Sequence, residues 1–239
     1  MHQTRRRMVP GARGAVLFIH GIVGTPRFWD DYVAAVPQGW SVVNLLLPGH
    51  GGTVSDFGRV RKGEWLAAVE TELDALLAAH ERVYVVGHSM GTLLAILAAC
   101  KRPGRIAGMV LLAVPLRIFA RPQALIGNVL KGVGLGEKRE TLQTYYGTAQ
   151  DWRVWRYIPW IPRYLELFTL SRQARKALPG VATPVAGYMC ARDEMIARRS
   201  CRLLAEARCV TLTMLPGSMH HKLAPEDQAL LMDALRCLS

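Results

Sequence analysis

The sequence lacks the cysteine spacing of a disulfide framework or of a common metal site. Five cysteines occur among 239 residues, an odd number, and none of them forms a C-x-x-C pair. Each one falls in or directly beside a segment whose pattern predicts a helix or a strand: Cys100, Cys190, Cys201, Cys209 and Cys237. We therefore expect buried free thiols, which fit a reducing, cytoplasmic setting best.

Long apolar runs are also missing. A helix that crosses a bilayer needs about 20 apolar residues, and no stretch of this chain supplies them. Arg5, Arg6 and Arg7 resemble the basic start of a signal peptide, but the apolar stretch that follows, residues 15–19, is too short for the apolar region of one. We predict a soluble protein. Its 239 residues, 51% of them hydrophobic, are enough to bury a full core and predict one α/β domain with an insertion.

Acidic residues are scarce: 18 Asp and Glu stand against 30 Lys and Arg, which gives a formal net charge of +12. Such an excess raises the question of a nucleic-acid partner, but no nucleic-acid-binding motif accompanies it. Residues 116–183 alone hold eleven basic and four acidic side chains, a net charge of +7. A solvated basic face explains this segment, and attraction to anionic lipid surfaces or acidic substrates is the alternative. We expect a small-molecule substrate, no nucleic acid, and a monomer or weak dimer.

No residue pattern points to a metal ion or a cofactor. The sequence contains no H-E-x-x-H motif, and the adjacent His220 and His221 cannot both face one ion comfortably. We therefore predict neither.

Short apolar runs alternate with helical patterns, which predicts a mostly parallel sheet flanked by helices. The predicted strands are residues 15–19, 41–47, 83–87, 109–114, 185–190 and 210–215, with room for at most one more strand before them. The predicted helices are residues 64–80, 90–100, 198–207 and 225–238.

One region interrupts this alternation. Residues 116–183 show no clear strand but hold a dense aromatic patch: Tyr145, Tyr146, Trp152, Trp155, Tyr157, Trp160, Tyr164 and Phe168. We interpret this region as a mostly helical cap inserted into a core formed by residues 1–115 and 184–239.

Residues 87–91 read G-H-S-M-G, a G-x-S-x-G pattern between a predicted strand and a predicted helix. That setting favours a sharp elbow that holds Ser89 in strained backbone geometry, although an ordinary tight turn is the alternative. The flanking glycines let neighbouring strands and helices approach closely. A serine hydroxyl is a weak nucleophile near neutral pH, so it needs a base, and the base needs a group that orients it.

Candidates for both groups follow later strands. Asp193 comes after the predicted strand 185–190, and His220 comes after the predicted strand 210–215. Serine, acid and histidine in this chain order are expected for a nucleophile on such an elbow. Glu194 adjoins Asp193 and His221 adjoins His220, so each choice has an alternative; we favour Asp193 and His220.

Two backbone amides are candidates for stabilising a developing oxyanion. The N–H of Met90 lies at the start of a predicted helix, where unpaired amides and the helix dipole favour negative charge. The N–H of Ile22 lies in the loop after the strand 15–19, where Gly21 allows a tight turn. We expect His20 to order this loop. A loop that only links strand to helix is the alternative.

With these motifs in order, the chain resembles the α/β-hydrolase superfamily and, within it, small bacterial carboxylesterases and monoacylglycerol lipases. The resemblance rests on "HGIVGTP", "LPGHGG", "VVGHSMG", "ARDEMI" and "SMHHKLAPED". It implies Ser89 as nucleophile, Asp193 as acid, His220 as base and the amides of Ile22 and Met90 as the oxyanion hole.

The resemblance also implies a reaction. This is hydrolysis of short- to medium-chain acyl esters or monoacylglycerols through an acyl-enzyme, with no cofactor. A thioesterase or acyltransferase with the same triad is one alternative, and a non-catalytic ligand-binding or membrane-surface protein is another. The chain departs from the family pattern in two places: Ile22 stands where an aromatic residue or leucine is usual, and residues 116–183 do not closely resemble a familiar cap.

Overall fold

The computed structural model describes residues 2–119 and 153–238. Part of the predicted cap lies outside these residues, and so do three members of its aromatic patch: Tyr145, Tyr146 and Trp152. The boundaries of the cap therefore stay a prediction.

Seven strands form one sheet within the described residues. They are β1 (Arg5–Arg7), β2 (Gly14–Ile19), β3 (Ser41–Leu45), β4 (Arg82–His88), β5 (Gly108–Leu112), β6 (Val185–Cys190) and β7 (Val210–Leu215). Their order across the sheet is β1-β3-β2-β4-β5-β6-β7, and only β1 runs antiparallel to its neighbour. All six predicted strands are confirmed, and β1 occupies the space left for one more.

Seven α-helices flank the sheet in the described part of the chain. They are α1 (Asp30–Val33), α2 (Val54–Arg59), α3 (Lys62–Ala79), α4 (Met90–Cys100), α5 (Trp160–Ala177), α6 (Arg199–Ala205) and α7 (Pro225–Arg236). The four predicted helices correspond to α3, α4, α6 and α7, so the predicted fold class is confirmed. Among the described helices, none is both long enough and apolar enough to cross a bilayer.

The central strands are the most deeply buried elements, and this explains their sequence. Strands β2 and β5 are buried at every position, as parallel strands covered by helices on both faces must be. Helix α4, which follows β4, is buried at nearly every position. The sharp connection from β4 to α4 therefore lies at the carboxyl edge of the middle of the sheet, where open α/β sheets bind their ligands.

The short helix α2 was not predicted. Thr53 precedes it, and its hydroxyl accepts the amide proton of Asp56, whose carboxylate in turn accepts the amide proton of Thr53. This reciprocal pair satisfies amides that a helix start leaves unpaired. Threonine followed three residues later by an acid was the sequence signal for this helix.

Helix α5 is the described helix of the predicted cap region, and its inner face joins the core. The indole N–H of Trp160 donates to the Val54 carbonyl oxygen at 2.7 Å, and the hydroxyl of Ser171 donates to that of Pro115 at 2.6 Å. The guanidinium of Arg163 donates to the carbonyl oxygen of Val60. This helix therefore packs on the α/β core through specific contacts at several of its turns.

Candidate active site

Ser89 lies at the bend between β4 and α4 in a conformation that is unfavourable for a residue with a side chain. Its φ is 50° and its ψ is −120°. Backbone strain of this kind clusters at functional sites and persists only where the surrounding structure enforces it. The predicted elbow is therefore present in the structure.

The two flanking glycines make this bend possible. A Cβ atom at Gly91 would overlap the carbonyl oxygen of Ile19 and lie 2.8 Å from that of His20. A Cβ atom at Gly87 would lie 2.9 Å from the backbone nitrogen of Thr92. Helix α4 can start this close to β2 and β4 only because both positions lack a side chain.

Hydrogen bonds hold the bend in place. The amide of Ser89 donates to the carbonyl oxygen of Leu112 at 3.0 Å, and the hydroxyl of Thr92 donates to the carbonyl oxygen of Ser89 at 2.7 Å. The side chain of Ser89 makes neither bond, so its hydroxyl remains available for another partner.

That partner is His220. The distance from His220 Nε2 to Ser89 Oγ is 3.0 Å, and the distance from His220 Nδ1 to Asp193 Oδ2 is 2.8 Å. Both side chains of the His220–Asp193 pair are at most 4% exposed. The structure thus brings the three sequence-predicted residues into one hydrogen-bonded line.

The orientation of Asp193 distinguishes it from Glu194. Its second oxygen, Oδ1, accepts the amide protons of Met195 and Ile196 at 2.8 and 2.9 Å, which directs Oδ2 towards the imidazole. The carboxylate of Glu194 instead accepts the amide proton of His220 at 3.3 Å. Asp193 therefore contacts the ring of His220, whereas Glu194 contacts only its backbone.

Asp227 holds the loop that carries His220, a role that no sequence motif predicted. Its Oδ2 accepts a proton from the amide of Gly217 at 3.0 Å and from the hydroxyl of Ser218 at 2.6 Å. The oxygen of Ser218 accepts the amide proton of Ala224 at 3.0 Å, which closes the loop. Asp227 looks in sequence like an ordinary acidic residue in the first turn of α7, so it gave no distinguishing signal.

His88 is a second residue whose role no sequence motif predicted. Its Nε2 lies 2.9 Å from the carbonyl oxygen of His220, so it must carry a proton and donate it. The ring also stacks on Phe28, with centroids 4.1 Å apart and an interplanar angle of 20°. Burial lowers the pKa of His88 well below its usual value, and the neighbouring His220 lowers it further, so His88 is neutral. Together with Glu194, it fixes the backbone of His220 on both sides.

The loop after β2 lies directly against the serine. A Cβ atom at Gly21 would lie 3.1 Å from Ser89 Cβ, and Val23 adopts a positive φ of 58°. Within the described residues, the amides of Ile22 and Met90 donate no hydrogen bond. Two candidate donors are therefore available, one in each of the two segments that meet at Ser89.

His20 orders this loop in a single tautomer. Its Nε2 accepts the amide proton of Leu47 at 3.1 Å, so the ring proton must be on Nδ1, which donates to the carbonyl oxygen of Gly21 at 2.8 Å. Burial lowers the pKa of His20 well below its usual value, and His50 adds to this effect. A neutral imidazole whose two ring nitrogens both form hydrogen bonds fits the ordering role predicted for His20.

The rings of His88, His220 and His221 lie together, with possible ligand atoms within 4.8 Å of one another. Both ring nitrogens of His220 and Nε2 of His88 already have protein partners. A metal ion bound to His220 would have to displace Ser89 or Asp193. This donor set therefore suits proton transfer better than metal binding.

Comparisons with known proteins identify the family to which this chain belongs. A profile of the alpha/beta hydrolase family matches residues 16–234. Human monoglyceride lipase is 29% identical over 166 residues, which cover 60% of this chain and 54% of that protein. A pimeloyl-[acyl-carrier protein] methyl ester esterase of Neisseria meningitidis is 29% identical over 120 residues, which cover 49% of this chain and 43% of that protein. The chain thus spans about half the length of the curated relatives it matches.

A solved structure extends the likeness of the fold to almost the whole chain. It belongs to a metagenome-derived lipolytic enzyme and superposes with a TM-score of 0.72 at 22% sequence identity. The match covers 98% of this chain and 95% of the other. At this identity the similarity concerns the fold alone.

Proposed function

We propose that this chain, which belongs to the alpha/beta hydrolase family, hydrolyses carboxylic esters through an acyl-enzyme intermediate on Ser89. The observation that carries the proposal is the line of hydrogen bonds from Ser89 Oγ through the His220 ring to Asp193. A hydroxyl, a base in contact with it and a carboxylate behind the base are the groups that nucleophilic acyl transfer requires.

In the first step His220 Nε2 takes the proton of Ser89 as the hydroxyl oxygen attacks the ester carbonyl carbon. The ring then carries a positive charge, which the carboxylate of Asp193 stabilises from the opposite side. Because Asp193 Oδ1 is held by two backbone amides, the carboxylate keeps its orientation as the ring becomes charged.

The carbonyl oxygen of the substrate gains negative charge in this step. The amides of Ile22 and Met90 are the proposed donors to it. Such donors act strongly because they are already fixed when the charge develops, and losing one typically costs about 3 kcal/mol in the transition state. Met90 N–H also lies at the positive end of the α4 dipole.

In the second half His220 returns the proton to the leaving alkoxide, which departs as an alcohol. Water then loses a proton to His220 and attacks the acyl-enzyme. The carboxylic acid is released and Ser89 regains its proton. The residues present account for every proton transfer in this cycle.

We propose short- to medium-chain acyl esters or monoacylglycerols as substrates. The similarity to human monoglyceride lipase and to a methyl ester esterase supports an ester with an aliphatic acyl group. The aromatic content of residues 116–183 supports an apolar acyl chain over a sugar or a peptide.

Covalent labelling tests the nucleophile directly. A fluorophosphonate probe should label the wild-type chain and should fail to label Ser89→Ala. Ser55→Ala in α2 removes a hydroxyl that takes no part in the Ser89–His220–Asp193 line and serves as the matched control, so it should be labelled like the wild type. An unlabelled wild-type chain would refute the proposal.

A substrate series then tests the ester class. Hydrolysis rates should be compared for p-nitrophenyl esters of increasing acyl length, for monoacylglycerols and for acyl-coenzyme A. We expect kcat/KM to be highest for oxygen esters. A clear preference for the thioester would contradict the proposed substrate class while leaving the nucleophile intact.

A further inference from the structure

Helix α5 has an inner face that is firmly anchored, so what its outer face exposes is not the result of loose packing. Its buried residues are Trp160, Arg163, Leu167, Leu170, Ser171 and Ala174. Three of these side chains donate hydrogen bonds to backbone carbonyl oxygens of the core. The rotation of the helix about its axis is therefore fixed.

The outer face carries large apolar side chains that extend into solvent. Ile158 is 63% exposed, Ile161 59%, Leu165 60% and Phe168 50%. Residues 161, 165 and 168 follow helical spacing and lie on one side of α5, and Ile158 lies two residues before the start of the helix. Exposed apolar residues are normal when scattered, but a contiguous group of this kind marks an interaction surface.

Positive charge follows the apolar group along the same face. Arg172 continues the spacing of Leu165 and Phe168, and Lys176 lies one turn further on. Both are exposed, and neither forms an ion pair with another described residue. Burial and the nearby guanidinium groups of Arg117, Arg199 and Arg172 lower the pKa of Arg175, which shows that several positive charges converge at this end of α5.

The single carboxylate of α5 does not neutralise this charge. The side chain of Glu166 turns inwards, where it accepts the amide proton of Lys62 at 3.0 Å and lies 3.3 Å from Arg163 Nε. We define the docking face as Ile158, Ile161, Leu165, Phe168, Arg172 and Lys176. It combines an apolar half with a basic half.

We propose that the docking face binds the surface of an anionic lipid bilayer. The apolar side chains would enter the boundary between headgroups and acyl chains, while Arg172 and Lys176 remain among the anionic headgroups. Helices with this division of residues bind in the plane of a membrane, and their affinity combines buried apolar area with electrostatic attraction.

A second copy of this chain fits the docking face less well. The chain has a formal net charge of +12, so two copies repel each other over a distance set by the ionic strength. Pairing two docking faces would also bring the basic halves close to each other or onto apolar surface. A lipid bilayer accommodates the apolar half and the basic half at the same time.

Vesicle binding tests this proposal without reference to turnover. The full chain carrying Ser89→Ala should be mixed with phosphatidylcholine vesicles, with and without phosphatidylglycerol, and the partition coefficient measured by sedimentation. We expect binding to the anionic vesicles that weakens from 0.1 M to 1 M salt, where the Debye length falls from about 10 Å to about 3 Å.

Two paired substitutions separate the halves of the docking face. Arg172→Gln/Lys176→Gln should lower the partition coefficient about 30-fold. Each basic residue near an anionic surface contributes about 1 kcal/mol to binding, and about 1.4 kcal/mol corresponds to a tenfold change in affinity. Leu165→Ser/Phe168→Ser should lower it roughly tenfold or more, on neutral and anionic vesicles alike.

Matched controls show whether the position matters rather than the composition. Leu230 is 47% exposed on α7 and Arg208 is exposed elsewhere, so Leu230→Ser and Arg208→Gln make similar changes outside the docking face and should bind as the parent does. Unchanged thermal unfolding of each variant shows that the fold is retained.

Three outcomes would overturn the proposal. They are no binding to anionic vesicles, equal losses in the controls, and a dimer in sedimentation equilibrium that Leu165→Ser/Phe168→Ser dissociates. Hydrolysis of a soluble ester by the wild-type chain, measured separately, shows whether the proposed function holds, so the two proposals can fail independently.

Discussion

Replacing Asp193 with asparagine tests the proposed catalytic line by changing which nitrogen of His220 carries the proton. The substitution conserves shape and removes only the charge and one acceptor. Asp193 Oδ1 accepts two amide protons, from Met195 and Ile196, whereas Oδ2 contacts His220 Nδ1 alone. An asparagine keeps the greater number of hydrogen bonds when its oxygen faces the two amides.

In that orientation the asparagine NH₂ group faces His220 Nδ1. The NH₂ group is a donor, so Nδ1 must act as the acceptor and the ring proton moves to Nε2. Nε2 is the nitrogen 3.0 Å from Ser89 Oγ, and in this tautomer it cannot accept the serine proton. In the opposite rotamer the NH₂ group would face the two backbone amide donors, and each lost hydrogen bond would cost about 1 kcal/mol or more.

We therefore expect Asp193→Asn to lower kcat about 10⁴-fold, the loss found when this tautomer is imposed on a serine protease, which corresponds to about 5.5 kcal/mol. KM should change little because the side chain of Asp193 is only 4% exposed and lies on the far side of the His220 ring from Ser89. The assay is steady-state hydrolysis of a soluble p-nitrophenyl ester, with folding checked by circular dichroism.

Glu194→Gln is the matched control. It makes the same change of carboxylate to amide one residue away, but its oxygen can still accept the amide proton of His220. We expect a loss of less than about tenfold, because one neutral hydrogen bond contributes roughly 1 kcal/mol. A tenfold or smaller effect of Asp193→Asn, or equal effects of the two substitutions, would refute the tautomer argument and the assignment of Asp193.

Three further predictions concern the groups around this line. Gly91→Ala should destabilise the fold by roughly 1–3 kcal/mol or prevent folding, because the new Cβ overlaps the backbone carbonyl oxygen of Ile19. A Cβ at Gly39 meets no atom within 4 Å, so Gly39→Ala should leave the unfolding midpoint nearly unchanged. His88→Leu removes the donor to the His220 carbonyl oxygen and should lower kcat roughly tenfold at unchanged KM. His88→Gln should restore part of this loss, because its side-chain amide can still donate. Full activity in His88→Leu would argue against a positioning role. Burial lowers the pKa of His50 from 6.5 to about 4, so on acidification the unfolded state binds a proton at this residue before the folded state does. The free energy of unfolding should therefore fall by up to about 3 kcal/mol from pH 6.5 to pH 4. Urea titrations at several pH values should show a shallower fall for His50→Leu.

The pattern of the sequence determined six of the seven described strands, because each of these six is a short apolar run between turns or helices, whereas β1 consists of three arginines. Strand ends were less certain. The predicted strand 109–114 ends at Leu112, since Ala113 adopts a positive φ of 55°. A run of apolar residues shows which segment is buried, but it does not show where the backbone leaves the extended conformation.

The residues of the candidate site also divide into those that the local sequence predicts and those that it does not. Ser89 could be assigned from its own neighbours because the elbow needs small residues at fixed, adjacent positions. His88 and Asp227 could not, because their roles depend on partners brought near by folding, and in the case of His88 that partner is 132 residues away.

The sequence by itself determined the succession of strands and helices along the chain, the elbow at Ser89 and the loops that carry an acid and a histidine. All of these features are encoded by the spacing of nearby residues. Only the tertiary structure decided that Asp193 rather than Glu194, and His220 rather than His221, forms the hydrogen-bonded line to Ser89. Adjacent loop residues look equivalent in sequence, and they differ only when backbone amides and side chains from distant segments fix the direction of each side chain.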